Sequence, residues 1–130
     1  MEGIDDLEVR REMLDIATQK TRFLLLQGIV SHPKQAPSLR ELELVNPSHS
    51  RSNIHEHLEK LIQTGVVRRV VNKKTRDEND LPSKFYLLTE EGREILKTTG
   101  MFDAEDTLKK MYNSLQKTDE HERYEAAPRP

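Results

Sequence analysis

His49-Ser50-Arg51-Ser52-Asn53, followed by His55, Glu56 and Lys60, gathers hydroxyls, a guanidinium, a carboxamide, imidazoles, a carboxylate and an ammonium within one short stretch. Each type has a partner chemistry: an Arg fork donates twice to guanine, an Asn carboxamide pairs with adenine, and Ser hydroxyls or free helix amides hold phosphate. Arg51, Ser52, Asn53 and His55 are therefore the candidates for contact with base edges. Glu56 fits such a surface only if it accepts from cytosine N4 or orients a neighbouring Arg or His, because a carboxylate repels phosphate. Blander roles stand beside these: Ser50 and Ser52 also suit helix capping, and Arg51 and Asn53 also suit a solvated face.

Enzyme chemistry finds no such concentration. The chain has no cysteine, which excludes a thiol nucleophile, a disulfide framework and thiolate-ligated metal. It has no Gly-rich phosphate loop, no His-x-x-x-His pair and no recognisable nucleophile motif. His55 and His57 stand about 200° apart on a helix and cannot hold one ion from the same face. His57 lies beside an apolar stripe and reads as a partly buried packing residue, while His32 and His121 would meet only by accident of folding. No catalytic residue, metal or cofactor is expected, and no aromatic cage or polar cluster points to a small-molecule effector.

Charge narrows the field further. The formal net charge is −2 over 130 residues, but residues 48–76 hold seven basic side chains (Arg51, Lys60, Arg68, Arg69, Lys73, Lys74, Arg76) against Glu56 and Glu59, a net of +5. A basic segment between acidic flanks can bind a polyanion; a basic face that is merely solvated is the alternative. Only 34% of residues are apolar and 34% are charged, so a single domain with a modest core is expected. No apolar run is long enough for a membrane span, and the acidic start Met1-Glu2-Gly3-Ile4-Asp5-Asp6 reads as that of an intracellular, cytoplasmic protein.

These side chains need elements to hold them. Asp5 to Ser31 reads as helix with a bend near Thr18 to Thr21, closed by His32-Pro33. Ser38-Leu39-Arg40-Glu41 matches a capping box and opens a short helix to about Val45. After Asn46-Pro47 a longer helix runs from Ser48 or Ser50 to Gly65, with Ile54, Leu58, Leu61 and Ile62 on one face. Ser52, Glu56, Glu59 and Gln63 then point the opposite way, with Asn53 and Lys60 along one flank and His55 along the other. Val66 to Val71 reads as a strand, Asn72 to Ser83 as a long hairpin loop, and Lys84 to Leu88 as the returning strand. Thr89 caps a helix to Leu96 or Lys97, and a last helix runs from about Asp103 to Lys117.

The fold class expected is mainly α with a small antiparallel hairpin: a winged helix-turn-helix at 21–97, an N-terminal helix at 1–20, a C-terminal helix at 101–117, and a disordered tail at 118–130. The runs Leu58-x-x-Leu61-x-x-x-Gly65-Val66-Val67 and Leu88-Thr89-x-x-Gly92-Arg93 resemble those of small prokaryotic regulators of the MarR, PadR and ArsR type. Their style is closest to archaeal winged-helix regulators, including those of haloarchaeal stress responses. That resemblance covers roughly residues 20–97 and implies sequence-specific binding of double-stranded DNA by a homodimer, usually as a repressor, with the second helix of the pair in the major groove.

The hairpin would add a second contact. Lys73, Lys74 and Arg76 lie near its tip and Arg68, Arg69 and Lys84 on its strands, placed for phosphates or a narrow minor groove. Asp77, Glu78 and Asp80 in the same loop argue against deep insertion. Apolar stripes left over on the terminal helices, with Leu7 and Leu14 on one and Phe102, Leu108, Met111, Tyr112 and Leu115 on the other, are expected at the dimer interface. Packing of those stripes within one chain is the alternative, and a winged-helix module that docks a protein is the alternative to DNA binding.

Overall fold

A computed structural model describes residues 2–75 and 81–130. Its elements run α1 (Glu2–Ala17), α2 (Lys20–Ser31), α3 (Leu39–Val45), α4 (Arg51–Gln63), β1 (Val67–Val71), β2 (Lys84–Leu88), α5 (Glu90–Lys97), α6 (Glu105–Asn113) and α7 (Asp119–Ala126). Each boundary has a local cause. The bend between the first two helices is fixed where the Gln19 side chain accepts from Arg22 N. Ser38 and Glu41 form the reciprocal capping box, Ser50 accepts from Asn53 N, and Thr89 accepts from Gly92 N.

Leu25, Leu26, Ile29, Leu42, Ile54, Leu58, Leu61 and Leu96 are buried together in one core that α1 closes through Met13 and Ala17. At about 25 cal/mol per Å² of apolar surface removed from water, this shared stripe is what sets the helices at their angles. The strands pair antiparallel, with Val67 opposite Leu88, Arg69 opposite Tyr86 and Val71 opposite Lys84. Tyr86 N also donates to Pro37 O at 2.9 Å, which ties the hairpin to the start of α3.

Gly65 and Gly92 each answer a backbone constraint. Gly65 ends α4 at φ 81°, where only a residue without Cβ sits unstrained. At Gly92 a Cβ would lie 2.2 Å from the Val66 carbonyl oxygen, so α5 packs onto the start of β1 at a distance no side chain permits.

The tail departs from expectation. Residues 118–130 are not disordered: Thr118 caps α7, and the segment beyond it folds back over α3 and β2. Composition alone showed nothing to bury there, yet His121 and Ala127 are buried. Polar contacts order it instead. The helix expected from about Asp103 to Lys117 is also shorter than read: α6 spans Glu105–Asn113, and Ser114 to Lys117 form a link to α7.

Candidate nucleic-acid interface

Helices α3 and α4 form the helix-turn-helix, and α4 presents its polar face to solvent. Ser50, Arg51, Ser52, His55, Glu56 and Lys60 are exposed, and Asn53 and His49 are half-buried. Ile54, Leu58 and Leu61 face inward and Ser52, Glu56 and Gln63 face solvent, but Glu59, expected on the same outer side, is half-buried and turned to Arg69 of β1. His49 Nδ1 lies 3.3 Å from the Ser48 hydroxyl. His57 stands on the flank with Arg22 donating to its Nδ1 at 3.2 Å. Partial burial, with the Arg22 charge beside it, pushes the His57 imidazole pKa down.

Arg51 is pre-positioned. Its Nε donates to Glu43 Oε2 at 2.8 Å, while Arg40 Nη1 donates to Glu43 Oε1 at 2.9 Å. One α3 carboxylate therefore holds a cation from each helix of the pair. Sequence reading passed over Arg40 and Glu43 because residues 33–47 balance in charge; spacing cannot show that α3 and α4 bring the two arginines to one acid.

The hairpin is divided by its register. Side chains alternate across a strand, so Arg69 and Lys84 lie on the face of Val67 and Tyr86, while Arg68 lies on the face of Phe85. Arg68, Arg69 and Lys84 therefore do not form one surface. Arg69 is engaged inward as well: it pairs with Glu59 of α4 and its guanidinium lies 5.5 Å from the Tyr86 ring centroid. His55 is 3.8 Å from the same Glu59. Lys60, Arg68, Lys73, Lys74 and Lys84 are exposed and form no ion pair among the described residues. Arg76, with Asp77, Glu78 and Asp80, lies outside the described residues. A groove lined by Ser38, Arg40, Arg51, Lys84 and Tyr124 runs between α3, α4 and β2.

The expected interface residues divide similarly. Tyr112 is not available to a partner: it is 5% exposed, its hydroxyl donates to Glu125 Oε2 at 3.0 Å and lies 2.8 Å from His121 Nε2. Burial, then the Glu125 carboxylate, pushes its pKa far up. Leu14, Phe102 and Leu108 pack against the chain's own core. Leu7, Met111 and Leu115 remain exposed, joined by Val9 and Leu24. His32 and His121 do come together around Tyr112, each ring edge-on to it. Burial pushes the His121 imidazole down.

A solved structure from Halomicrobium mukohataei, described as a protein with a GntR superfamily winged-helix-turn-helix domain, matches all of this chain and 90% of that chain at TM-score 0.86 and 26% identity. The fold is a winged helix-turn-helix. The name attached to that neighbour is GntR, not the MarR, PadR or ArsR names that the sequence runs resemble. No family model and no curated protein matches the sequence. No helix among the described residues is long and apolar enough to cross a membrane, and no cluster of three or more potential ligands among them could hold a metal ion.

Proposed function

We propose that this protein is a sequence-specific double-stranded DNA-binding transcriptional regulator that acts as a homodimer. The observation that carries the reading is the solvent-facing polar side of α4, with Arg51 oriented by Glu43 at its leading end. In a helix-turn-helix the second helix enters the major groove while the first crosses the backbone. Arg51, Ser52, Asn53 and His55 would then approach base edges, with Lys60 and Glu56 further along. Lys73, Lys74 and Lys84 would approach phosphates from the wing. Arg68 and Arg69 would contribute less, being respectively on the opposite face and held by Glu59.

Dimerisation would place two such helices on one duplex. The exposed Leu7 and Val9 of α1 and Met111 and Leu115 at the end of α6 are the apolar surface a second copy would cover; Leu14, Phe102, Leu108 and Tyr112 would support it from within. Repression follows most simply, since a dimer seated on a promoter excludes polymerase.

Selection from a randomised duplex library tests the reading. An enriched motif with two half-sites about 10 base pairs apart, lost in Arg51→Ala with Ser52→Ala, is expected. No enrichment, or equal enrichment by the variant, would favour a protein-docking module instead.

A further inference from the structure

The chain's own C-terminal helix is bonded to the helix-turn-helix at a cation that would otherwise face phosphate. Glu120 of α7 accepts from Arg40 Nε; Arg40 bonds on to Glu43, and Glu43 to Arg51. A line of alternating charge therefore runs from α7 through α3 to the leading end of α4. Arg40 is held above its ordinary pKa by Glu120 first and by Glu43 also. Tyr124 of the same helix forms a wall of the groove that contains Ser38, Arg40, Arg51 and Lys84.

The two ends of this segment are held differently. Arg129 is the firm end: its guanidinium donates to Glu41 Oε1 at 2.5 Å and to Ala36 O at 3.0 Å, and lies 4.4 Å from the centroid of Phe85. The Arg129 side chain is 9% exposed and that of Glu41 is 1% exposed. The end at Glu120 is the labile one. Arg40 is 32% and Glu120 39% exposed, and an ion pair that wet contributes little and weakens in salt. Asp119, Glu122 and Arg123 beside it are exposed, whereas His121 of the same turn is buried against Tyr112, so the labile part is the Glu120 side chain rather than the turn that carries it.

We propose that α7 is an autoinhibitory strap: Glu120 occupies Arg40 in place of a DNA phosphate, and duplex binding requires that exchange. The inference rests on the DNA-binding reading above. Carboxylate and phosphate compete for the same guanidinium because both accept its paired N–H donors. Arg129 and the buried His121 keep the strap in place, so the exchange needs only the exposed Glu120 side chain to turn away from Arg40. Its consequence is a threshold: any partner or modification that neutralises or captures the leading acids of α7 would raise affinity for DNA.

The test uses the full chain and a mixed-sequence 30-base-pair duplex, titrated by fluorescence anisotropy at 0.1 M salt, because the competition is with phosphate rather than with a base. Glu120→Gln is expected to bind roughly threefold to fivefold more tightly than wild type, the equivalent of one exposed ion pair. Asp119→Asn makes the same charge change one residue away without touching Arg40, and should move affinity by less than that. Arg40→Ala should bind more weakly, and adding Glu120→Gln to it should give no further gain. Thermal melting of each variant reports that folding is retained. Equal affinity of Glu120→Gln and wild type, or a gain that persists in the Arg40→Ala background, overturns the strap while leaving the DNA-binding reading intact. Failure of every form to bind duplex at low salt overturns both.

Discussion

Arg129 and Glu41 are 88 residues apart in sequence and joined by a 2.5 Å charge-assisted hydrogen bond in the interior. Glu41 is shared: its Oε2 lies 2.5 Å from His32 Nε2, and its Oε1 accepts from Ser38 N at 3.0 Å. The capping carboxylate of α3 is thus also the anchor for the end of the chain. Burial alone would push the Glu41 carboxyl up, but His32, the Ser38 amide and Arg129 together hold it below the ordinary range.

Removing Glu41's charge is therefore expected to destabilise the fold. Glu41→Gln keeps a capping-box acceptor but leaves the Arg129 guanidinium without its carboxylate partner, with an expected cost of about 3 kcal/mol, as for one half of a buried pair. Urea unfolding of the variant beside wild type checks it, and a cost below about 1 kcal/mol would mean that the tail is not anchored as described.

Acid should loosen the same region in two stages. His121 has its pKa lowered in the fold by burial, so the unfolded chain takes up its proton first, and stability falls as pH drops below the ordinary His value of about 6.5. Glu41 is also lowered, so its contribution is complete above its unfolded value and is lost as pH falls through the carboxylate range below about 4.5. Unfolding midpoints measured from pH 8 to 3 should decline through both windows. His121→Asn should shrink the first decline, the remainder coming from His57, whose imidazole is also pushed down, and should leave the second.

Much of the frame was legible in the sequence, and the reasons are local. The capping box at Ser38, the break at Asn46-Pro47, the stripe of Ile54, Leu58 and Leu61 and the Gly65 stop are each decided by a few neighbouring residues, so one sequence suffices. Helix α7 and the His32–Tyr112–His121 cluster were not legible, because their order comes from contacts made across most of the chain. Hydropathy reads Thr118 to Pro130 as having nothing to bury, yet His121 and Ala127 are buried; it cannot register that Arg129 meets a buried carboxylate, or that Glu120 meets Arg40. The pairing of Arg69 with Glu59 was not legible for a related reason, since it joins β1 to α4.

Gly92 offers a test of the packing that sets the wing. Gly92→Ala places a Cβ against the Val66 carbonyl, which is backbone and cannot rotate away. A loss of about 1–3 kcal/mol is expected from overpacking, read by thermal or chemical unfolding, although alanine is the better helix former. A neutral or stabilising result would show that α5 does not seat on β1 as closely as described.

The apolar surface left outside the core makes its own prediction. Met111 is 61% and Leu7 69% exposed, and Met111→Asp or Leu7→Asp should leave the melting of a monomer unchanged. Sedimentation equilibrium of wild type should show a dimer that at least one of these variants weakens tenfold or more. A wild-type chain that stays monomeric at tens of micromolar would remove the homodimer from the account.

The central claim is that the polar face of α4 meets the duplex, and amide chemical-shift mapping during titration with DNA addresses it most directly. The account predicts that the largest changes fall on Ser50 to Lys60, with a second group at Lys73, Lys74 and Lys84 and a third at Arg40 and the first turn of α7. Shifts confined to Leu24, Met111 and Leu115, with α4 unmoved at saturation, would contradict it.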